Sequence, residues 1–267
     1  VANKMFPGIL KILAGNVRII MVTGTNGKTT TSRIIAQILN ENGISFFTNK
    51  SGANLLSGIT TAFIEAARLN GRPAKDTALI EIDEAAFNKA ADLVSPSVLV
   101  VTNFFRDQLD RYGELYSTLK SVRSGIGKTS GTVLVLNADD SLCASLGASN
   151  KSIYYGVSPE AYKESVENSN TDAMFCLYCK SRYEYSYHTY GHLGGFKCPN
   201  CGYERPTPHI ECTRTERLAD SYSEVGISIS GKTIRAKINL PGVYNIYNAL
   251  AAAACGYALG LPEEKTV

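Results

Sequence analysis

The sequence predicts an α/β fold, a parallel sheet flanked by helices with a cysteine-bearing insertion, on three observations. From residue 17 to about 155, short apolar runs of strand character alternate with amphipathic runs of helical length. That alternation is the pattern of βαβ units and hence of a parallel sheet. The first apolar run, 17–22, leads into Gly24-Thr25-Asn26-Gly27-Lys28-Thr29-Thr30 and then a helix-patterned stretch, 29–41. Strand, glycine turn and helix form the setting of a phosphate-binding loop. At about 157 the alternation stops, and two CxxC pairs follow in a polar, tyrosine-rich stretch.

The strands are expected at 17–22, 44–48, 77–82, 97–102, 132–137 and 151–155, with helices near 29–41, 57–69, 84–93, 110–124 and 140–147. Residues 1–156 then make the nucleotide-binding core, 157–215 the insertion, and 216–267 a closing hairpin and helix. The hairpin, 222–240, turns at Ser230-Gly231-Lys232. The helix, Val243 to Leu259, is stopped by Gly260 and Pro262. Rich in alanine and almost uncharged, it belongs in the interior. Ligands of such sheets bind beyond the carboxyl ends of the strands, where the 22–30 loop lies.

Composition excludes more than it assigns. A chain of 267 residues with 44% hydrophobic and 19% charged residues can bury a substantial core. Its net charge of +3, from 27 basic and 24 acidic residues, argues neither for nor against nucleic acid, since no basic block stands out. No run of about 18 apolar residues predicts a membrane span, and no signal peptide is visible in a chain that starts at Val1 rather than Met. Seven cysteines, three of them isolated (Cys143, Cys212 and Cys255), suit a reducing cytoplasm better than a disulfide framework.

In the loop, backbone N–H groups and the helix N-terminus can surround a polyphosphate, Lys28 can reach its outer phosphates, and the Thr29 hydroxyl can hold Mg²⁺. Val22 stands where the usual motif has its first Gly. A chance glycine turn is the bland alternative. In 78–84, strand periodicity puts Leu79, Glu81 and Asp83 on one face and Ile80 and Ile82 on the other. If this strand neighbours the loop, Glu81 supplies an acid to the metal. Asp83 and Glu84 suit the start of the next helix. Thr102 and Asn103 follow another apolar strand and can face a phosphate or substrate, or only begin a helix. Asn245 and Asn248, three apart on a helix, share a face. Two carboxamides can present the donor and acceptor that a purine edge needs; alternatively, Asn245 is an N-cap.

Cys176-Leu-Tyr-Cys179 and Cys198-Pro-Asn-Cys201 are separated by 18 residues. Two such knuckles supply four thiolates for a tetrahedral Zn²⁺. A closed site of this kind is structural, stabilising an insertion with little core of its own. His188 and His192, between the knuckles, could replace a ligand, but four cysteines already suffice. A nucleic-acid-binding ribbon would need a basic cluster that this stretch lacks.

These residues together resemble the Mur ligase family, which joins amides using ATP. Thr23 to Thr30 is similar to that family's variant of the phosphate loop, which accounts for Val22. Glu81 resembles its magnesium-binding glutamate. Thr102-Asn103 with Asp107, Leu109, Asp110 and Gly113 resembles its TN…DHLD…G element, and Asn137-Ala-Asp-Asp140 its NADD turn. Gly242, Asn245 and Asn248-Ala-Leu-Ala resemble its adenine-binding helix. The match covers most of 17–261, interrupted by the cysteine insertion. That insertion, with Ser51-Gly52-Ala53-Asn54-Leu55 and Arg106-Asp107-Gln108-Leu109-Asp110, resembles the ligase subunits of lipid II isoglutaminyl synthases.

The resemblance implies a Mur-ligase central-domain fold with an inserted zinc ribbon, using ATP, Mg²⁺ and Zn²⁺. Lys28 and Glu81 are the implied catalytic residues. Gly24, Thr25, Asn26, Gly27, Lys28, Thr29, Thr30, Asn245 and Asn248 would contact the nucleotide, with magnesium on Thr29 and Glu81. ATP would phosphorylate the D-glutamate α-carboxylate of lipid II. Ammonia from a GatD-like glutamine amidotransferase, the partner in a heterodimer, would then attack the acyl phosphate at the inner face of the cytoplasmic membrane. Gln108 departs from a family His that helps bind a second metal, and Lys120 is offset from the family's carbamylated lysine. Family members close over ATP with a C-terminal domain, so residues 1–267 alone are expected to bind adenine nucleotide weakly and to be inactive. Folylpolyglutamate synthases and cyanophycin-type ligases share the loop, but the ribbon argues against both. A zinc-ribbon NTPase acting on nucleic acid would need a basic groove. A vestigial scaffold is opposed by Lys28, Thr29 and Glu81 occurring together.

Overall fold

A computed structural model describes residues 6–69, 71–106, 114–161 and 173–267. The core alternates as its periodicity predicts. After helix α1 (Ile9–Ala14), unanticipated from sequence, come β1 (Arg18–Thr23), α2 (Lys28–Glu41), β2 (Phe46–Thr48) and α3 (Leu56–Ala66). Then follow β3 (Thr77–Glu81), α4 (Glu84–Ala90), β4 (Val98–Val101), α5 (Glu114–Ile126), β5 (Val133–Asn137), α6 (Ser141–Ala144) and β6 (Ser152–Val157). The cysteine-bearing stretch contains a separate two-stranded sheet, β7 (Glu184–Tyr190) and β8 (Leu193–Lys197). The chain ends with β9 (Ile210–Leu218), β10 (Ser223–Ile229), β11 (Lys232–Ile238) and α7 (Val243–Ala258).

Nine strands form one sheet in the order β11-β10-β9-β6-β5-β4-β1-β3-β2. From β2 to β9 all neighbours are parallel. Only β10 and β11 run antiparallel to their neighbours. The expected parallel sheet is therefore mostly parallel. Strand β9 begins inside the 157–215 span read as insertion and runs past its end to Leu218. Only Ile210 and Cys212 are apolar and buried, and from Thr213 to Arg217 it is polar and half-buried or exposed, so it carries little apolar alternation for a sequence reading to detect.

Period-2 alternation sends Ile20, Val22, Leu79, Val98, Val100 and Val135 to one core, with Ile35 and Leu39 of α2 and the alanine-rich face of α7. Ile19, Met21, Ile80, Leu99 and Leu134 go to the opposite core, against α1, α3, α4 and α5. Helix α7 is buried from Asn245 to Gly256, as its composition requires. Strand β1 has β3 on one side and β4 on the other, so the strand order reverses there. Such a switch point opens a crevice at the carboxyl end of the strand, and the glycine loop occupies it.

Candidate active site and cysteine cluster

Val22 and Thr23 are ladder residues of β1, so position 22 is strand and the turn proper is residues 24–27. Gly24 (φ 120°) and Gly27 (φ 84°) make that turn. A Cβ on Gly24 would fall 2.3 Å from Thr102 Oγ1, and one on Gly27 2.2 Å from Asn248 Oδ1. Only glycine fits either place.

Thr29, in the first turn of α2, donates from Oγ1 to Glu81 Oε2 at 2.9 Å. Strand β3 is the neighbour of β1, with Val22 opposite Glu81, which is the condition that brings this acid to the loop. Lys28 Nζ curls back over the loop, donating to Gly24 O at 2.5 Å and to Glu84 Oε1 at 3.0 Å. Glu84 is therefore the counter-ion of Lys28 across 56 positions of sequence. Asp83 does cap α4, accepting from the N–H groups of Ala85 and Ala86. Asn49, which sequence reasoning missed, clasps the Glu81 backbone: its Oδ1 accepts from Glu81 N and its Nδ2 donates to Glu81 O, both at 2.9 Å. An isolated asparagine after a short strand carries no signal that distinguishes it.

The Thr102-Asn103 element braces the loop. Asn103 Oδ1 accepts from Asn26 N at 3.0 Å and its Nδ2 donates to Asn26 O at 3.1 Å, imitating one rung of a ladder. Thr102 Oγ1 also donates to Asn26 O, at 2.7 Å, and Thr25 N donates to Asn103 O at 2.9 Å. Asp107, Gln108, Leu109, Asp110 and Gly113 lie outside the described residues. Lys120 is exposed on α5.

Asn245 and Asn248 share one face of α7 and are buried. Asn248 Nδ2 donates to Asn245 Oδ1 at 3.1 Å, Asn245 Nδ2 to Pro241 O at 2.7 Å, and Thr31 Oγ1 to Asn248 Oδ1 at 3.3 Å. The N-cap position of α7 is Gly242, not Asn245. Each carboxamide retains one N–H beyond these bonds. Asn26, Gly27, Asn103, Phe105, Tyr190, Leu193, Tyr244, Tyr247 and Asn248 line a cleft of 260 Å³ beside the loop. The loop residues, Glu81 and the α7 asparagines predicted from sequence are thus assembled at one place, although Glu81 reaches it only through Thr29.

Of the NADD turn, Asp140 caps α6 and accepts from Phe104 N at 2.7 Å. Asp139, fully buried, accepts from Val157 N, Arg205 Nε and Tyr247 OH at 2.8, 2.6 and 2.5 Å. Burial alone would lower the Arg205 pKa, but Asp139, Tyr187 and Glu211 together outweigh it and raise the guanidinium further above the neutral range, while burial raises the Asp139 carboxyl against the pull of Arg205. The turn therefore ties β5, β6, α7 and the insertion together.

In the insertion, the sulfurs of Cys176, Cys179, Cys198 and Cys201 all lie within 4.8 Å of one another. Zinc–sulfur bonds of about 2.3 Å place tetrahedral thiolates about 3.8 Å apart, so the four sulfurs fit such an ion. Corresponding turns build the two knuckles. Lys180 N donates to Cys176 O and Gly202 N to Cys198 O, each at 3.0 Å, with Lys180 at φ 64° and Gly202 at φ 76°. Hydrogen bonds from Asn200 and Ser181 lower the Cys179 thiol to about 5. Burial opposes ionisation of Cys176, but the backbone N–H groups of Cys179 and Tyr178, together with hydrogen bonds to Tyr183 and Cys201, outweigh it and lower that thiol too. His188 and His192 are not in the cluster: His188 stacks on Tyr185, and His192 packs on Phe105, 3.6 Å from Asp140.

Comparison with known proteins agrees with this architecture. The chain matches the Mur ligase middle domain over residues 22–201. It is 37% identical over 97% of its length to a lipid II isoglutaminyl synthase (glutamine-hydrolyzing) subunit MurT of Streptococcus pneumoniae, spanning 57% of that protein. It is 36% identical over 99% to the subunit of the same name from Staphylococcus aureus, spanning 58% of it. The chain thus covers less than two thirds of the curated relatives it matches. Among solved structures, a pseudomurein peptide ligase type C from Methanothermus fervidus superposes with a TM-score of 0.75 at 28% identity, covering 94% of this chain and 48% of that one. With the loop, the reversed strand order and these relatives in agreement, the chain belongs to the Mur ligase family.

Proposed function

We propose that this chain is the nucleotide-binding part of an ATP-dependent carbon–nitrogen ligase that amidates the D-glutamate α-carboxylate of lipid II. In this reading ATP phosphorylates the carboxylate, and ammonia released by a glutamine amidotransferase partner displaces phosphate from the acyl phosphate. The observation that carries the nucleotide role is the Thr29–Glu81 hydrogen bond at the N-terminus of α2, beside Lys28. The choice of substrate rests on the 37% identity to a subunit named for it.

Transfer of a phosphoryl group to a carboxylate demands alignment and charge neutralisation more than covalent help. Thr29 and Glu81 offer two hard oxygen ligands; magnesium held there would offset phosphate charge. The loop N–H groups hold the polyphosphate and Asn103 keeps the loop in shape. Lys28 exchanges Glu84 for a phosphate oxygen. Asn245 and Asn248 direct their remaining N–H groups to the base. Zinc on the four cysteines would fill a closed site with no position for substrate, so its role would be to hold the insertion's structure rather than to take part in the chemistry. The work takes place in the cytoplasm, at the inner membrane face; among the described residues no helix is long and apolar enough to cross a membrane.

The test is amidation of lipid II by the full-length protein with its amidotransferase, ATP and glutamine, followed by mass spectrometry. Glu81→Gln is expected to lower the rate roughly 100-fold or more. ATP hydrolysis stimulated by RNA rather than by lipid II would overturn this reading.

A further inference from the structure

The hairpin β7–β8 connects two features that are far apart in sequence. Its open end, where Glu184 pairs with Lys197, leads directly to the cysteine knuckles. Its closed end, from Tyr190 to Leu193, reaches the cleft beside the phosphate loop, which Tyr190 and Leu193 line together with Gly27, Tyr244 and Asn248. The Tyr190 ring lies 5.5 Å from Phe105 and 6.5 Å from Tyr244. Tyr190 and Tyr244 keep 39% and 51% of their surface exposed at the rim. Accessible aromatic rings beside a phosphate-binding floor offer a face for a flat heterocycle, at low entropic cost.

The tip is also registered against the nucleotide helix. Gly194 N donates to Asp139 O at 3.0 Å, and Thr189 Oγ1 lies 2.5 Å from Tyr247 OH, which itself donates to Asp139. Tyr247 is adjacent to Asn248 on α7. At the other end, the small core of Cys176, Tyr183, Phe196 and Cys198 closes the hairpin on Ala144. An isolated two-stranded hairpin is marginal in water, so a clamp at its open end affects how firmly its tip is held.

We infer that the tip of the cysteine-clamped hairpin is part of the nucleotide site, with Tyr190, beside Tyr244, forming a wall against which the base of the nucleotide packs. This rests on the reading of the loop as an ATP site. It makes Tyr190 a base-binding residue supplied by the insertion rather than by the α/β core. It also couples the metal state of the knuckles to nucleotide affinity.

The experiment is calorimetric titration of the protein with Mg²⁺-ADP and, separately, with Mg²⁺-tripolyphosphate, which has no base. Tyr190→Ala is expected to weaken ADP roughly fivefold or more, from the usual value of base–aromatic stacking, and to leave tripolyphosphate unchanged; Tyr190→Phe keeps wild-type affinity. Removing the metal from wild type with a chelator is expected to weaken ADP in the same way, and to add little to Tyr190→Ala. Wild-type ADP affinity in a folded Tyr190→Ala protein would overturn the inference and leave the ATP reading intact. Equal losses for ADP and tripolyphosphate would overturn it as well, since the ring would then only support the loop. Failure of the wild type to bind either ligand would overturn the ATP reading and the inference with it.

Discussion

Asn103→Ala should loosen the phosphate loop before any ligand arrives. The residue is 9% exposed, and its side chain makes two hydrogen bonds to the Asn26 backbone, at 3.0 and 3.1 Å. Each is worth about 1 kcal/mol net. Asn26 is itself exposed, so water can replace part of what is lost, and Thr102 still donates to Asn26 O. The cost is therefore about 1–2 kcal/mol of loop order. Because ligand binding must restore that order, the apparent Kd for Mg²⁺-ADP should rise roughly 5- to 30-fold. Titration calorimetry measures the affinity, and hydrogen exchange of residues 24–27 in the free protein measures the loop. Both must change. Unchanged exchange with weakened binding would mean that Asn103 only touches the ligand; affinity within about twofold of wild type would refute the bracing argument altogether.

Thr29→Ala should reduce the magnesium dependence of nucleotide binding, seen as converging Kd values with and without Mg²⁺, while Thr29→Ser retains it. Asp139→Asn removes the charge that compensates Arg205; because Glu211 still pairs with Arg205 at 3.1 Å, the loss should sit near the lower end of the range for a broken buried pair, about 3 kcal/mol. Urea denaturation should show it as a lowered midpoint with an unchanged slope. In metal-free protein, Cys179, lowered to about 5, is a thiolate throughout pH 6–7 and should be alkylated first. Burial pushes Cys212 and Cys255 up to about 12, so both stay protonated and unlabelled there, and added zinc should protect Cys179. Peptide mass spectrometry across pH reads all three, and uniform labelling would contradict the assigned environments.

The loop and its helix were legible because a glycine turn between an apolar strand and an amphipathic helix is a local pattern. The cysteine knuckles were equally so, since ligand spacing is written in the chain. The split of Glu81 from Ile80 and Ile82 followed from strand period alone. By contrast, β9 was hidden, as its residues from Thr213 to Arg217 are polar and half-buried or exposed. Glu84 was read as a helix-starting acid and is the partner of Lys28. Asn49 and Asn103 act by clasping backbone groups 32 and 77 positions away. No local signal marks such pairings, because their energy exists only after the strands are ordered.

The sequence by itself determined the alternating α/β core, the phosphate loop, the four-sulfur cluster and the buried alanine-rich helix. Each depends on spacings within a few residues or on a periodicity of 2 or 3.6. Only the tertiary structure decided that β1 lies between β3 and β4, which sets Glu81 on one side of the loop and Asn103 on the other. It alone brought the hairpin tip, Tyr190, to the cleft at Gly27 and Asn248. Strand order and the docking of an insertion are settled by which apolar faces cover one another and which buried groups, Asp139 above all, find their partners.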